Sequence, residues 1–294
     1  MKNTTEKKVK RISRAGLARS VGGNAVNFIF LCIIAAFMAL PLLYVISNAF
    51  KPLDEIFVYP PRLYVINPTL SNFKNLSSLM SQSWIPFSRY IFNSVFVTAV
   101  STFLQIIFAS MAAYVLEKRE FPGKRIFFGT VVISLMFTAT VTAIPNYIIM
   151  NSLNMVNTYF ALILPAAASS MGLYLMKQFI ATSVPTVILE AARVVGASEM
   201  RIFWRIVMPL VKPAWLTLII FSFQSIWSTT GNGYSYTETL KPLNYAPSQV
   251  VSGGVSRTGS AAAVAFIMLL PPLVVFIVSQ SNILNTMASS GIKE

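Results

Sequence analysis

Charge is absent from five long intervals of this 294-residue chain, and that pattern limits what it can fold into more than any other feature. The intervals run from Ser20 to Phe50, Tyr90 to Leu116, Ile126 to Met176, Pro213 to Thr237 and Thr258 to Ile292. A charge held in hydrocarbon costs about 3 kcal/mol, and about 20 apolar residues are needed to cross a bilayer as a helix. The interval from Ile126 to Met176 is long enough for two crossings, and the polar patch from Asn151 to Asn157 is where a short hairpin connection would sit. The expectation is an all-α integral membrane fold with six transmembrane helices, near 26–47, 90–115, 126–148, 158–180, 212–231 and 260–281.

Composition excludes several classes of function. With 55% apolar and 11% charged residues and a mean hydropathy of +0.66, the chain is too apolar for a soluble domain of its length. A net charge of +14 does not mark a nucleic-acid binder here, because the basic residues lie between apolar runs and no basic groove with interleaved aromatics is present. The single cysteine, Cys32, lies in an apolar run, so there is no disulfide framework. Histidine is absent, which removes the commonest general base and metal ligand, and no metal site and no catalytic residue is expected. Gly123-Lys124 is not a phosphate loop, since Lys118 stands where its first glycine belongs and Arg125 where serine or threonine would follow.

Lysine and arginine set the orientation, because they are retained on the cytoplasmic side. With the amino terminus inside, inner segments hold 17 of the 23, and outer segments hold only Lys51, Arg62, Lys74, Arg89, Lys241 and Arg257. Both termini are therefore expected in the cytoplasm. Residues 1–19 read as a basic cytoplasmic tail resting on anionic membrane lipid, and 20–294 as the six-span domain. The first apolar run is too long for a secretory signal and lacks a small-residue cleavage site. Outside, a segment at about 48–88 with Tyr59-Pro60-Pro61 and Asn67-Pro68 reads as extended, turn-rich chain, and a second outer loop covers about 232–258.

One polar island stands among the spans, Glu190-Ala191-Ala192-Arg193-Val194-Val195-Gly196-Ala197, within a cytoplasmic loop at about 181–213. Pro185 suits a helix start, Gly196 permits a positive-φ break, Ser198 suits the cap of a second helix, and Pro209 ends or kinks it. On that second helix Phe203, Ile206 and Leu210 would share one face, with Arg201, Trp204, Arg205 and Met208 on another. A helix lying on lipid is the alternative, but it gains nothing from an acidic residue followed by two alanines and a glycine break. The island reads as a docking element whose Glu190 offers a charge to a basic partner.

Within the spans, Asn93, Ser94 and Gln105 either line a path or hydrogen-bond between helices. Asn146 and Tyr147, beside Pro145, are path candidates, as are Gln224 and Trp227. The small-residue cluster from Pro165 to Gly172 suits close helix packing. Asn232, Tyr234, Tyr236 and Tyr245 make the second outer loop rich in aromatics and amides, suited to a sugar-carrying protein or to the membrane interface.

The spacing Glu-Ala-Ala-x3-Gly-Ala-x5-Phe-x2-Ile-x2-Pro-x3-Pro from Glu190 to Pro213 resembles the EAA loop of permease subunits of bacterial ABC importers. The Pro-rich outer segment, Asn93-Ser94 and the loop from Trp227 through Gly253-Gly254 are similar to the maltose-type, oligosaccharide-importing, MalG-like branch. That branch often has aspartate where this chain has Val195. The resemblance implies the type I importer permease fold in a bacterial cytoplasmic membrane. It also implies a second homologous permease subunit, two ATPase subunits that bind ATP and Mg in place of this chain, and an extracytoplasmic solute-binding protein that delivers a carbohydrate. Carried over by position, Glu190, Ala191, Ala192, Gly196 and Ala197, with Arg201 and Phe203, couple to the ATPase, and the outer loop from Asn232 reaches towards the binding protein. The rival readings are an ion-coupled secondary transporter, an intramembrane enzyme and an importer of a non-sugar solute. The spans lack the ionisable residues that the first two need.

Overall fold

In hydrocarbon a backbone must satisfy its own hydrogen bonds, which leaves the helix as the economical way for such intervals to cross. The computed structural model describes residues 21–81, 85–229, 231 and 233–291, and among these every regular element is helical. The helices are α1 (Val21–Phe50), α2 (Leu53–Ile56), α3 (Ser71–Ser81), α4 (Phe87–Lys118), α5 (Lys124–Ser134), α6 (Ala139–Ser152) and α7 (Tyr159–Ala167). They continue with α8 (Ser170–Ser183), α9 (Thr186–Val194), α10 (Glu199–Ile202), α11 (Met208–Leu210), α12 (Lys212–Trp227), α13 (Ala246–Val251) and α14 (Thr258–Gly291). The basic tail at 1–19 lies outside the described residues.

Four helical stretches are long and apolar enough to cross a membrane, and the number rises to six if each of two bent pairs counts as one. One bent pair, α5 with α6, turns by 116° where a single straight span was expected at 126–148. Neither glycine nor proline stands at the break. Leu135, Met136 and Phe137 close α5 with tight three-residue hydrogen bonds, and Thr138 then turns extended. Pro145, by contrast, lies inside α6 without interrupting it. The hairpin after α6 forms where expected, with Asn154 and Asn157 at φ values of 54° and 64°, a region that asparagine tolerates better than most residues.

α4 is the central rod, packed along α7, α8 and α12, while α14 packs on α1, α3 and α12. One end of the bundle closes over Tyr114 of α4, Ile180 of α8, Leu189 of α9 and Val207, which follows α10. The opposite end closes over Leu76 of α3, Tyr90 of α4, Leu243, Val250 of α13 and Val264 of α14. Charges sort with these ends. Arg119, Lys177 and Arg193 make their ion pairs at the first. Lys51, Arg89 and Lys241 lie at the second, among the connections from 51 to 74 and from 231 to 257.

The first of those connections is folded rather than extended. α3 presents Phe73 and Leu76 to the core, and Phe50, Phe73 and Phe266 form a ring cluster with centroids 5.4–6.0 Å apart. Asn72 donates to the carbonyls of Ala49 and Lys51 at 3.0 and 2.7 Å, satisfying the open end of α1. Glu55 accepts from the backbone of Ile66 and Asn67. A pattern read for prolines missed α3, although Phe73, Leu76 and Met80 recur at helical spacing in the sequence.

At the same end, α4 holds the second connection. Asn93, with no exposed surface, donates to the carbonyls of Thr239 and Lys241 and accepts from the Tyr159 hydroxyl. Ser94 accepts from the backbone of Leu243 at 2.6 Å. Replacing Asn93 with leucine strands the buried Lys241 carbonyl and frees that of the exposed Thr239, and is expected to cost about 1–3 kcal/mol, with the 237–243 loop loosened. Thermal unfolding in detergent, alongside protease cleavage within that loop, checks this.

Candidate functional site

The element from Thr186 to Val211 is built from two helices and two backbone irregularities. Pro185, at φ −66° and ψ 135°, cannot extend a helix backward, so α9 begins after it. Its end is a complete Schellman motif: the N–H of Gly196 donates to Arg193 at 2.9 Å and that of Ala197 to Ala192 at 3.0 Å. Gly196 sits at φ +82° with open space around its α-carbon, so glycine is required here by backbone conformation and not by crowding. Ala192 and Ala197 pack inward against the core beside this turn. Ser198 stands at the N-cap of α10, although its side chain makes no capping hydrogen bond.

The second irregularity is a π-helical turn from Phe203 to Val207, where the N–H of Met208 donates to the carbonyl of Phe203 five residues back. Pro209 explains its position. Proline has no N–H to donate, and its ring clashes with the carbonyl four residues earlier, so the helix widens before it. Widening moves the buried face. Phe203, Val207 and Val211 point into the core, while Leu210, expected on that face, is exposed. Phe203 is only 3% exposed and lies against Tyr114 with ring centroids 5.8 Å apart. It therefore anchors the element from within and does not present itself to a partner.

Electrostatics centres on a residue that the motif does not include. The Glu199 carboxylate accepts from the Tyr114 hydroxyl at 2.7 Å and from Arg193 Nε at 2.9 Å, and it pairs with the Arg119 guanidinium. The Arg193 hydrogen bond holds the Glu199 carboxyl below its usual range, opposed by partial burial and aided by Tyr114 and Arg119. Arg193 is held above its own usual value, mainly by the same hydrogen bond. A second pair, Lys177 with Glu117 at 2.7 Å, ties α8 to α4. Glu190 makes no ion pair with any described residue and is exposed, as are Ala191 and Arg201. Val194 and Val195, each 87% exposed, join Val187, Ile188 and Met200 in an outward apolar surface around it.

The expected path residues separate. Asn93 spends its hydrogen bonds on Thr239 and Lys241 of the connection from 231 to 257 and on Tyr159 of α7. Trp227 is 8% exposed, donates to the Met268 carbonyl and stacks on Phe223, so it serves packing between α12 and α14. Asn146 is half-buried and Gln224 is exposed, both away from the cavity beside the middle of α4. That cavity, about 420 Å³, lies between α4, α7, α8 and α12, and its polar lining is Gln105, Ser169, Ser222, Ser225, Thr229 and Tyr234. Ser222, Ser225 and Thr229 recur at helical spacing, the signal by which the sequence alone would have marked this face.

In the connection from 231 to 257, Tyr236 is exposed and its hydroxyl meets that of Tyr147 at 2.8 Å. Tyr245 is half-buried beneath the Lys241 ammonium, 4.6 Å from the ring centroid, and burial lowers the Lys241 pKa. Asn157 binds this loop to the α6–α7 hairpin, accepting from the backbone of Tyr236 and Thr237. Asn232 lies outside the described residues.

No protein-family model matches the chain. Among curated proteins, it is 30% identical over 270 residues to the probable ABC transporter permease protein YurM of Bacillus subtilis, covering 90% of this chain and 87% of that protein. The chain belongs to the ABC transporter permeases. This permease is also 32% identical over 206 residues to the arabinooligosaccharides transport system permease protein AraQ of Halalkalibacterium halodurans, covering 69% of this chain and 71% of AraQ. Among solved structures, a bacterial ABC transporter involved in import of the acidic polysaccharide alginate shares the fold, with a TM-score of 0.76 at 22% identity over 88% of this chain and 95% of that one. The bacterial alginate ABC transporter in complex with an alginate pentasaccharide-bound periplasmic protein matches with a TM-score of 0.57 at 15% identity over 87% and 92%.

As a permease, the chain is a transport component and not an enzyme. Sequence reasoning reached the outward residues of the 186–211 element and missed Glu199, Arg119 and Tyr114, because their meeting depends on a contact 85 residues apart along the chain. Replacing Glu199 with glutamine is expected to loosen the element by about 0.5–1.5 kcal/mol at pH 7, a modest figure because the side chain is 40% exposed. Since the folded pKa lies below the unfolded one, the stabilisation is present above the unfolded value and lost as pH falls through the folded one. Proteolysis within 186–200 should therefore distinguish wild type from variant at pH 7 and converge in acid.

Proposed function

We propose that this permease is half of the membrane path of a carbohydrate importer in a bacterial cytoplasmic membrane. It pairs with a second homologous permease and with two ATPase subunits, which bind ATP and Mg while this chain binds neither, and an extracytoplasmic binding protein delivers an oligosaccharide. The chain crosses six times, the bent α5–α6 pair serving as the third crossing and α12 as the fifth. Both termini lie in the cytoplasm, with the basic segment 1–19 on anionic lipid and the 186–211 element on the same side. Supporting that orientation, the end of the bundle that carries the element is the one richer in lysine and arginine. Supporting the substrate class is the likeness to AraQ, and supporting the binding protein is the likeness to a transporter solved with one.

The observation that carries the coupling role is the division of the 186–211 element into two faces. Leu189, Ile202, Phe203 and Val207 anchor it inside, while Glu190, Ala191, Val194 and Val195 stand clear of the fold, exposed among the described residues. Two alanine-sized positions and a flat valine pair suit a groove on a partner surface, and Glu190 suits a cation within it. Ala192, Gly196 and Ala197 set the shape of this face through the turn, and Arg201 adds a charge at its edge. With Val195 in place of aspartate, the contact there is apolar. On the opposite side, Tyr234, Tyr236 and Tyr245 form the loop that meets the binding protein, Asn232 among them.

Two substitutions test the reading in the assembled transporter. Glu190→Arg reverses the one exposed acidic contact, and Gly196→Val forces a β-branched residue into a positive-φ turn at a cost of about 1–3 kcal/mol. Both are expected to lower sugar uptake about tenfold or more while ATP hydrolysis continues, with the subunit still inserted. Uptake at wild-type level by both variants in vesicles would remove the coupling role from this face.

A further inference from the structure

Between α5 and α8, beside the turn that joins α4 to α5, two cavities adjoin and differ in chemistry. The first, about 500 Å³, is lined by Lys124, Arg125 and Lys177 with a single carboxylate, Glu120, and is backed by Phe128. The second, about 640 Å³, runs along one face of α5 past Ile126, Phe127, Thr130, Val131 and Ser134 and carries no charge. Phe121, Gly123 and Ile126 line both, so the two form one groove with a charged mouth and an apolar channel. Gly123, at φ +86° with open space around its α-carbon, leaves their junction clear. At the far end the channel is closed where the Ser134 and Ser170 hydroxyls meet at 2.7 Å. The groove shares no lining residue with the 420 Å³ cavity.

Charge at the mouth is not balanced. Lys177 pairs with Glu117 at 2.7 Å and lies 4.4 Å from the Phe128 ring centroid. Lys124 pairs with Glu120 at 2.7 Å, but Glu120 is 89% exposed, and a pair so open to water is weak. Arg125 is exposed and makes no ion pair with any described residue, which leaves one positive charge over at the mouth. A phosphodiester carries one negative charge, and a guanidinium fork matches its oxygens. A free phosphate would use the mouth alone. The channel begins at the same residues and follows α5 from Ile126 to Ser134, a rise of about 12 Å, over which hydrocarbon and not a headgroup makes contact. Ile126 and Phe127, 78% and 53% exposed, are the apolar surface that such a chain covers. We propose that the groove between α5 and α8 is a site for one anionic phospholipid of the adjoining leaflet, its phosphate held by Lys124 and Arg125 and an acyl chain lying along Ile126, Phe127 and Val131.

The test uses the assembled transporter in phosphatidylcholine vesicles that contain a trace of phosphatidylglycerol with a photoreactive diazirine on its acyl chain. Phosphatidylcholine with the same reactive chain is the zwitterionic control, and mass spectrometry of the peptides locates the label. The phosphatidylglycerol probe is expected to label residues 126–134 about tenfold more than the control does. Lys124→Gln with Arg125→Gln brings the two probes to equal labelling there, while Lys124→Arg with Arg125→Lys keeps the preference. Thr130→Trp fills the channel without touching a charge and removes the labelling of 131–134 by either probe. Equal labelling of 126–134 by the two probes in the wild type overturns the site, as does a preference that survives removal of both charges. Absence of label from 126–134 in the wild-type assembly, as when the second permease covers the groove, overturns it too. Loss of the preference in excess glycerol 1-phosphate marks a site for free phosphate and overturns the lipid.

Discussion

The Glu199 carboxylate, held by Arg193 from its own element and by Arg119 and Tyr114 from α4, decides whether the 186–211 segment is a loop or part of the rod. The interaction is partly exposed, so its energy is modest. Its value lies in direction, because a carboxylate accepting from three donors fixes both the distance and the rotation of α10 against α4. The apolar face supplies the larger energy. Leu189, Ile202, Phe203 and Val207 are each almost fully buried, and burial of such side chains is worth about 1.5–3 kcal/mol apiece. Together the two terms give an element that is anchored on one face and exposed on the other.

α4 is bound in the same manner at its other end. Arg89, Tyr90, Asn93 and Ser94 all reach the segment from Glu238 to Leu243, by hydrogen bonds to its backbone and to the Glu238 carboxylate. A helix of 32 residues is about 48 Å long, close to the full thickness of a bilayer with its headgroups. A rod tied to a loop at each end displaces both when it tilts. The cavity that opens beside its middle is walled by α7, α8 and α12, the same helices whose ends carry those loops, so a change in their angles changes the cavity as well.

How much of this was legible depends on the range of the interaction involved. Charge-free length marked the long apolar helices, the asparagines marked the hairpin after α6, and Gly196 marked the break between α9 and α10, since each is a property of a few neighbouring residues. The bend between Ser134 and Ala139 left no such mark, because the residues there are apolar and without a breaker. Leu210 does not share the face of Phe203, as a 3.6-residue period would have it, for a related reason: that period does not hold across a turn that Pro209 widens. Asn93 and Trp227 looked like path residues because a polar or amphipathic side chain in a span is conspicuous, yet both find partners inside the fold.

The sequence by itself determined that this is a helical membrane protein with one polar island between its apolar runs, since hydropathy, charge placement and turn chemistry are written in runs of adjacent residues. Only the tertiary structure decided which polar groups are spent on the protein and which remain for something else. Asn93 is satisfied by a carbonyl 148 positions away, while the buried Ser222 hydroxyl meets no partner among the described residues. The physical reason is that a hydrogen bond is a property of a pair, and the second member of each pair is chosen by how the helices pack.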